Sequence, residues 1–112
     1  MKLLHNPRCS KSREALSLLE ERGINLEVRE YLKEPMEEGE LRELVKMLGT
    51  PVLRLLRQKE SLVQTLELDL SDSDAVFAAI AAHPSLMERP VFIGKSGKAV
   101  IGRPPERVLD LL

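Results

Sequence analysis

The chain has a single cysteine, and it lies where a thiolate would be stabilised. Cys9 directly precedes a predicted helix that begins at Ser10. The N–H groups in the first turn of a helix have no partners within the helix and present partial positive charge. Such a position lowers the pKa of a thiol below its free value of about 8.5, and we expect a pKa below about 7 for Cys9. The sequence therefore favours a nucleophilic thiolate over a buried cysteine that acts as a small hydrophobic residue.

The segment around this thiol also suits an anion. It carries three basic and two hydroxyl side chains, namely Arg8, Ser10, Lys11, Ser12 and Arg13. The basic groups add positive charge, and the hydroxyls can donate hydrogen bonds to sulfur or to a bound oxyanion. Helix N-termini bind anions through the same unpaired N–H groups. The pattern predicts a sulfur nucleophile beside an oxyanion site.

Three more arginines stand next to apolar segments: Arg57, Arg89 and Arg103. The planar guanidinium group pairs with oxyanions through two parallel hydrogen bonds. For any one arginine, the common alternative is a salt bridge to one of the 18 acidic residues. Considered together with the thiolate, the three arginines would hold a tetrahedral oxyanion over the sulfur.

The two histidines differ in their surroundings. His5 stands four residues before the cysteine. It can either assist deprotonation of the thiol or form a hydrogen bond at the end of a strand, and the residues leave both possibilities open. His83 precedes Pro84 at the predicted end of a helix, which favours a structural role.

The cysteine count excludes several classes of protein. With one cysteine the chain can form no internal disulfide, so it is not a disulfide-stapled secreted fold. No motif has the spacing of metal ligands, and we expect no metal site. Any redox chemistry at the sulfur must use a second thiol from another molecule.

Length and charge narrow the choice further. We interpret the 112 residues as one small domain. The net charge of −1 argues against a nucleic-acid binder, whose affinity depends on excess positive charge. The apolar run 76–82 is too short to span a bilayer, and polar residues from His5 onward interrupt any signal peptide. We therefore expect a cytoplasmic protein with no membrane partner.

The hydrophobic pattern predicts the elements that position these residues. Gly23 and Gly49 stand where helices end, and Thr50 is the expected N-cap of a short helix with Pro51 at its first position. That short helix would carry Leu53, Leu56 and Arg57. Segment 58–72 is ambiguous. The predicted strands are 2–5, 24–31, 90–94 and 98–101, and the other predicted helices are 10–22, 38–48, 73–82 and one beginning at Pro104-Pro105.

This order of elements predicts the fold class. A strand-helix-strand unit followed by a hairpin and a helix indicates an α/β protein with a thioredoxin-like mixed sheet. The whole chain, 1–112, would be one thioredoxin-like domain with a helical insertion at about 36–83. In such a fold a proline before the third strand faces the active-site cysteine, so Pro90 is a cis-proline candidate whose isomer the sequence leaves open.

Several short motifs occur in a characteristic order. The most specific is His5-Asn6-Pro7-x-Cys9-x-x-Ser12-Arg13. It is followed by Tyr31-Leu32-x-x-Pro35, Leu55-Leu56-Arg57, His83-Pro84, Arg89-Pro90, Arg103-Pro104 and Val108-Leu109-Asp110. With these motifs the chain resembles, from Leu3 to its C-terminus, the family of glutaredoxin-coupled arsenate reductases, which have a thioredoxin-like fold.

The resemblance implies roles for individual residues. Cys9 would be the nucleophile, and His5 and Ser12 would tune its pKa. The oxyanion would be bound by three arginines, which fall on Arg57, Arg89 and Arg103; we add Arg13, beside the thiol, as a further candidate. The thiolate would attack arsenate and form a thio-arsenate adduct. Glutathione would act as co-substrate, glutaredoxin as partner, and no cofactor would be bound.

Three other functions compete with arsenate reduction. Related thiol-responsive transcription regulators use a C-x-x-C switch, which is impossible here because Ser12 occupies the second cysteine position. A glutathione-dependent thiol oxidoreductase could act on another oxidised substrate. A non-enzymatic adaptor could bind a protein such as RNA polymerase through an apolar patch formed by Leu62, Val63, Leu66 and Leu68.

Overall fold

The chain folds into two units, and the computed structural model describes all of residues 1–112. The first unit consists of Met1–Glu34 and Arg89–Leu112. The second unit is Pro35–Glu88. The sheet and the predicted thiol site both belong to the first unit.

The first unit is built on a four-stranded mixed sheet. Its strands are β1 (Lys2–His5), β2 (Glu27–Glu30), β3 (Val91–Ile93) and β4 (Ala99–Ile101), in the spatial order β2-β1-β3-β4. β1 is parallel to β2, and the β1–β3 and β3–β4 pairs are antiparallel. Helix α1 (Ser10–Glu21) connects the two parallel strands. The predicted α/β class with a mixed sheet is confirmed.

One hydrophobic core holds this unit together. Leu3 and Phe92 are direct neighbours on β1 and β3, and both are fully buried. Ala15 and Leu19 of α1 pack against them, together with Val108. The spacing of Ala15 and Leu19, four residues apart, places both on the helix face that meets the sheet. The core therefore fixes the direction of α1 relative to β1, and with it the junction that carries the thiol.

Two elements of the first unit, β2 and the last helix, differ in detail from what the sequence predicts. The strand expected at 24–31 is shorter, Glu27–Glu30, because the preceding Ile24 and Leu26 pack against the core while β2 itself lies at the sheet edge. The last helix, Pro105–Leu111, is a 3₁₀ helix. The hairpin turns at Gly97, whose φ of 82° suits glycine.

The second unit is helical. It contains α2 (Glu38–Leu48), α3 (Ser61–Thr65) and α4 (Ser73–Ala82), with 3₁₀ helices at Val52–Leu55 and Pro84–Leu86. The bounds predicted for α2 and α4 are confirmed, and the ambiguous segment 58–72 contains the short α3. The helices expected in the insertion at about 36–83 all lie in this unit, and the description of the chain as one domain stays a prediction. No helix of the structure is long and apolar enough to cross a membrane.

The predicted start of the short helix after α2 is wrong. Thr50 does not cap it: the residue before the first turn is Pro51, which has an extended ψ of 152°. The helix therefore begins at Val52 and ends at Leu55. Leu56 follows the helix and forms an isolated β-bridge with Met87 instead. Because Leu56 pairs with Met87 in this bridge, the helix ends one residue earlier than the apolar spacing of Leu53 and Leu56 predicts.

Candidate active site

A tight turn places Cys9 at the N-terminus of α1. β1 ends at His5, and the backbone N–H of Cys9 donates to the Asn6 carbonyl (3.0 Å). The Asn6 side chain also accepts from the N–H of Arg8 (3.0 Å), which closes an Asx turn. Cys9 is the N-cap residue, and its carbonyl accepts the first helical hydrogen bond from Arg13 (3.0 Å). The strand, turn and helix therefore leave the thiol beside the unpaired N–H groups of the helix.

These surroundings shift the pKa of Cys9. Partial burial has the largest single effect and raises the pKa. The N–H groups of Ser12 and Lys11, together with the charge and hydrogen bonding of the Arg89 guanidinium, lower the pKa by more, so the net pKa lies below that of an ordinary thiol. These groups lower the pKa because they interact more favourably with the charged thiolate than with the neutral thiol. The direction agrees with the expected activated thiol.

Replacing Arg89 by Ala should raise the pKa of Cys9. The guanidinium favours the thiolate, so its removal favours the neutral thiol and leaves less thiolate at neutral pH. The rate of alkylation by iodoacetamide, measured against pH, should therefore reach its midpoint at a lower pH in the wild type than in Arg89→Ala. Glutathione measured in parallel should titrate above the wild-type protein.

The matched control for that titration is Arg22→Ala. Arg22 is exposed at the C-terminal end of the 12-residue α1, about 18 Å from the first turn, and should leave the midpoint unchanged. An Arg89→Ala midpoint equal to that of the wild type would show that the positive charge does not reach the sulfur.

Two arginines of the first unit lie at the same end of the sheet as the thiol, because β1 ends where β3 begins and β4 ends. Arg89 immediately precedes Pro90 and β3, and Arg103 follows β4 after one residue. The Nη1 atom of Arg103 lies 4.0 Å from Cys9 Sγ and donates a hydrogen bond to the Arg89 carbonyl (3.2 Å). The two side chains predicted to bind an oxyanion are thus gathered with the thiol by the β3–β4 hairpin.

The peptide bond between Arg89 and Pro90 is cis. The bond between Arg103 and Pro104 is also cis. Pro90 is the cis-proline candidate expected from the fold class, whereas Pro104 follows an arginine in the same way and is not expected to be cis from sequence. Both cis bonds therefore directly follow an arginine that faces the thiol.

Ser12 is fully buried and connects three segments of the site. Its Oγ atom lies 2.7 Å from His5 Nδ1 and accepts a hydrogen bond from the N–H of Asn6 (3.0 Å). Burial is the main cause that lowers the pKa of His5, although Glu30 and Glu20 oppose it, so the neutral imidazole is favoured. The hydroxyl of Ser12 is therefore engaged with the end of β1, and Ser12 acts on the sulfur through its backbone N–H instead.

We expect Ser12→Ala to destabilise the protein by about 1–3 kcal/mol, because the part-buried Asn6 N–H and the buried His5 Nδ1 lose their shared partner. The free energy of unfolding in urea measures the loss. Ser17→Ala is the matched control, since Ser17 is exposed on the same helix and should change stability by less than about 0.5 kcal/mol. Equal effects of the two substitutions would show that the hydroxyl contacts contribute nothing.

Arg13 contacts the loop before the cysteine. Its Nη1 atom donates to the Pro7 carbonyl (2.9 Å), and its charge is one of the causes that lower the pKa of His5. Lys11 lies 4.0 Å from Glu14 in an exposed i,i+3 pair. The structure thus gives Arg13 a contact that shapes the loop, and its role as an oxyanion ligand stays a prediction.

The third predicted arginine, Arg57, belongs to the second unit. Its Nη1 atom lies 2.8 Å from a carboxylate oxygen of Glu60 and donates to the Ser85 carbonyl (3.3 Å). A salt bridge to an acidic residue is the common alternative to oxyanion binding for a single arginine, and Arg57 forms one. A role for Arg57 in oxyanion binding stays a prediction from the family resemblance.

The second unit also contains His83 and the four residues expected to form an adaptor patch. His83 is the C-cap residue of α4, and its N–H donates to the Ala79 carbonyl (2.8 Å). Of the four residues named for an adaptor patch, Val63 is buried and only Leu66 is strongly exposed. Leu62 and Leu68 are half-buried, and the adaptor role stays a prediction. No group of three or more His, Cys, Asp and Glu side chains is arranged to hold a metal ion.

Comparison with known proteins assigns the family. A model of the ArsC family matches residues 4–111. The chain belongs to the ArsC family. It is 50% identical to the uncharacterized protein YfgD of Escherichia coli, over 100% of this chain and 96% of that protein. It is also 50% identical to an arsenate reductase of Neisseria meningitidis, over 100% of this chain and 97% of that protein.

A solved structure gives the same assignment for the fold. An arsenate reductase from Vibrio cholerae superposes with a TM-score of 0.90 at 46% sequence identity, covering 100% of this chain and 98% of that one. The predicted ArsC-type, thioredoxin-like fold is thereby confirmed for this family member.

Proposed function

We propose that this ArsC family protein is an arsenate reductase in which the Cys9 thiolate attacks arsenate and outside thiols, glutathione and glutaredoxin, supply the electrons. The observation that carries the proposal is the thiol at the N-terminus of α1, with a lowered pKa and with Arg89 and Arg103 beside it. Relatives described as arsenate reductases support the choice of oxyanion.

The site suits an anionic substrate for electrostatic reasons. Arsenate is an anion at neutral pH, so the attack of a thiolate on it would bring two negative charges together. The partial positive charge of the helix N-terminus and two guanidinium groups oppose that repulsion. Each guanidinium can also donate two hydrogen bonds to a tetrahedral oxyanion and so orient it toward the sulfur.

The proposed reaction begins at sulfur. Cys9 Sγ forms a bond to arsenic(V), and one arsenate oxygen leaves as water. Glutathione then forms a second sulfur–arsenic bond with loss of another water. A glutaredoxin thiolate attacks the glutathione sulfur, so a disulfide forms between glutathione and glutaredoxin while the two electrons of the broken sulfur–arsenic bond reduce arsenic(V) to arsenic(III). Water then cleaves the remaining bond, which releases arsenite and regenerates the Cys9 thiol.

External thiols are required in this scheme because the chain has one cysteine. The disulfide that balances arsenate reduction cannot form within the protein, so at least one of its sulfurs must come from another molecule, and in the proposed scheme both do. A reaction that consumes glutathione suits the cytoplasm, where glutathione keeps thiols reduced, and we propose that location for the protein.

The proposal is tested by a coupled assay containing arsenate, glutathione, glutaredoxin, glutathione reductase and NADPH. We expect saturable NADPH oxidation that stops when arsenate, glutathione or glutaredoxin is omitted singly. Turnover sustained by thioredoxin and thioredoxin reductase instead would keep arsenate reduction and refute the proposed reductant.

The alternatives give different results in the same setting. Absence of arsenate turnover, with turnover of another oxidised substrate in a glutathione-dependent panel, would identify a different thiol oxidoreductase. Absence of any turnover, together with recovery of a stoichiometric protein partner in a pull-down, would favour the adaptor. Either outcome would overturn the proposed function.

A further inference from the structure

Gly102 occupies the position between β4 and Arg103 and is buried. Its N–H donates a hydrogen bond to the Pro90 carbonyl (2.9 Å). A Cβ atom at this position would lie 2.9 Å from Pro90 Cγ and 3.0 Å from Val108 Cγ1. Both distances are shorter than ordinary van der Waals contacts, so even one methyl group would force the neighbours apart.

The requirement for glycine at this position comes from space. The φ of Gly102 lies outside the left-handed region, in contrast with Gly97 of the hairpin. An alanine could therefore adopt the backbone conformation. What excludes it is the ring of Pro90 on one side and the fully buried Val108 on the other.

The close approach connects the two arginines that face the thiol. Gly102 precedes Arg103, and its hydrogen-bond partner Pro90 follows Arg89. Arg103 in turn donates through Nη1 to the Arg89 carbonyl (3.2 Å). The Gly102–Pro90 contact and this hydrogen bond therefore close a short loop of interactions that holds the Arg103 guanidinium against the Arg89 backbone, with Arg103 Nη1 4.0 Å from the sulfur.

We infer that Gly102 is a positioning residue: its missing side chain lets β4 and Pro90 approach closely enough to hold Arg89 and Arg103 over Cys9. The inference rests on the proposed function for the identity of the oxyanion. Gly102 has no reactive side chain. In this inference it sets the spacing of Arg89 and Arg103, which bind the substrate and activate the thiol.

The test is Gly102→Ala in the full-length chain, with two readouts. The first is the Cys9 pKa, measured by the pH dependence of alkylation; it should rise, because a shifted Arg89 stabilises the thiolate less. The second is binding of arsenate by calorimetry in a Cys9→Ser background, which prevents reaction at sulfur. We expect binding weakened by at least about tenfold, since displacements near 1 Å have effects of this size.

Gly39→Ala is the matched control. Gly39 lies in α2, its φ is outside the left-handed region, and a Cβ atom there would have no heavy atom within 4 Å. It should leave both readouts unchanged. A folded Gly102→Ala protein with the wild-type Cys9 pKa and arsenate affinity would overturn the inference, because a purely structural role lowers stability without moving either readout.

Two further comparisons keep the inference testable. If Gly102→Ala does not fold, Gly102→Ala/Val108→Ala is compared with Val108→Ala, since the smaller side chain removes one of the two close contacts and leaves Pro90. A double variant that matches Val108→Ala in both readouts would overturn the inference. If the Cys9→Ser protein with Gly102 intact binds no arsenate, the proposed substrate fails, and the Cys9 pKa alone decides the role of Gly102.

Discussion

Cys9→Ser should abolish arsenate reduction while the protein remains folded. A serine hydroxyl is not ionised at neutral pH, so the helix N-terminus and the arginines would have no nucleophile to activate. We expect the rate to fall by about a thousandfold or more, to that of the reaction without enzyme. The coupled NADPH assay measures the loss.

Stability should not fall with activity, which makes this substitution informative. Cys9 is the N-cap residue of α1 but forms no capping hydrogen bond through its side chain. Serine is among the preferred N-cap residues and contributes up to about 1 kcal/mol relative to residues that do not cap. The thermal midpoint of Cys9→Ser should therefore equal or exceed that of the wild type. Substantial arsenate turnover by Cys9→Ser would exclude the sulfur as nucleophile. Ser17→Ala is the control for the assay and should reduce arsenate at the wild-type rate.

Phe92→Ala should cause the largest loss of stability among the substitutions considered. Phe92 is fully buried at the centre of the sheet, beside Leu3 on β1 and Val100 on β4. Removing a buried phenylalanine side chain costs about 3–5 kcal/mol, because apolar burial is lost and a cavity remains. Urea unfolding should show a lower midpoint with an unchanged slope.

Val28→Ala is the control for that measurement. Val28 is also on a strand, but on the edge strand β2, where it is 43% exposed. Its truncation should cost less than about 1 kcal/mol. Comparable losses for the two substitutions would mean that the core is not centred on Phe92.

The elements that were predicted well have their signals close together in the sequence. α4 is an example: Asp72 accepts from the N–H of Ala75 at its start, and Val76, Phe77 and Ile80 form one buried stripe. Capping and periodicity act over a few residues, so the bounds of such a helix follow from sequence. The position of Cys9 at the start of α1 was predictable for the same reason.

The features that could not be predicted from sequence, such as the length of β2 and the contacts of Ser12 and Gly102, depend on contacts between segments distant in the chain. The alternation in 24–31 predicted a longer strand, yet only Glu27–Glu30 pairs with β1, because strand length is set by the partner as well as by its own pattern. The roles of Ser12 Oγ and of Gly102 depend on what lies opposite them, namely His5 in one case and Pro90 in the other. No local pattern encodes those partners.

The division of the first unit into two chain segments has a consequence for how the thiol is made reactive during synthesis. Leu3 on β1 pairs with Phe92 on β3, and the whole second unit, Pro35–Glu88, is translated between them. During translation, Cys9 is therefore synthesised before Arg89 and Arg103, which contact it in the folded protein. Contacts so far apart in sequence also form late in folding. The part of the pKa lowering that comes from Arg89 thus arises only after translation has passed Arg89, whereas the part that comes from the N–H groups of Ser12 and Lys11 requires only the start of α1. An incomplete chain therefore carries a less acidic, and less readily oxidised, sulfur than the finished protein.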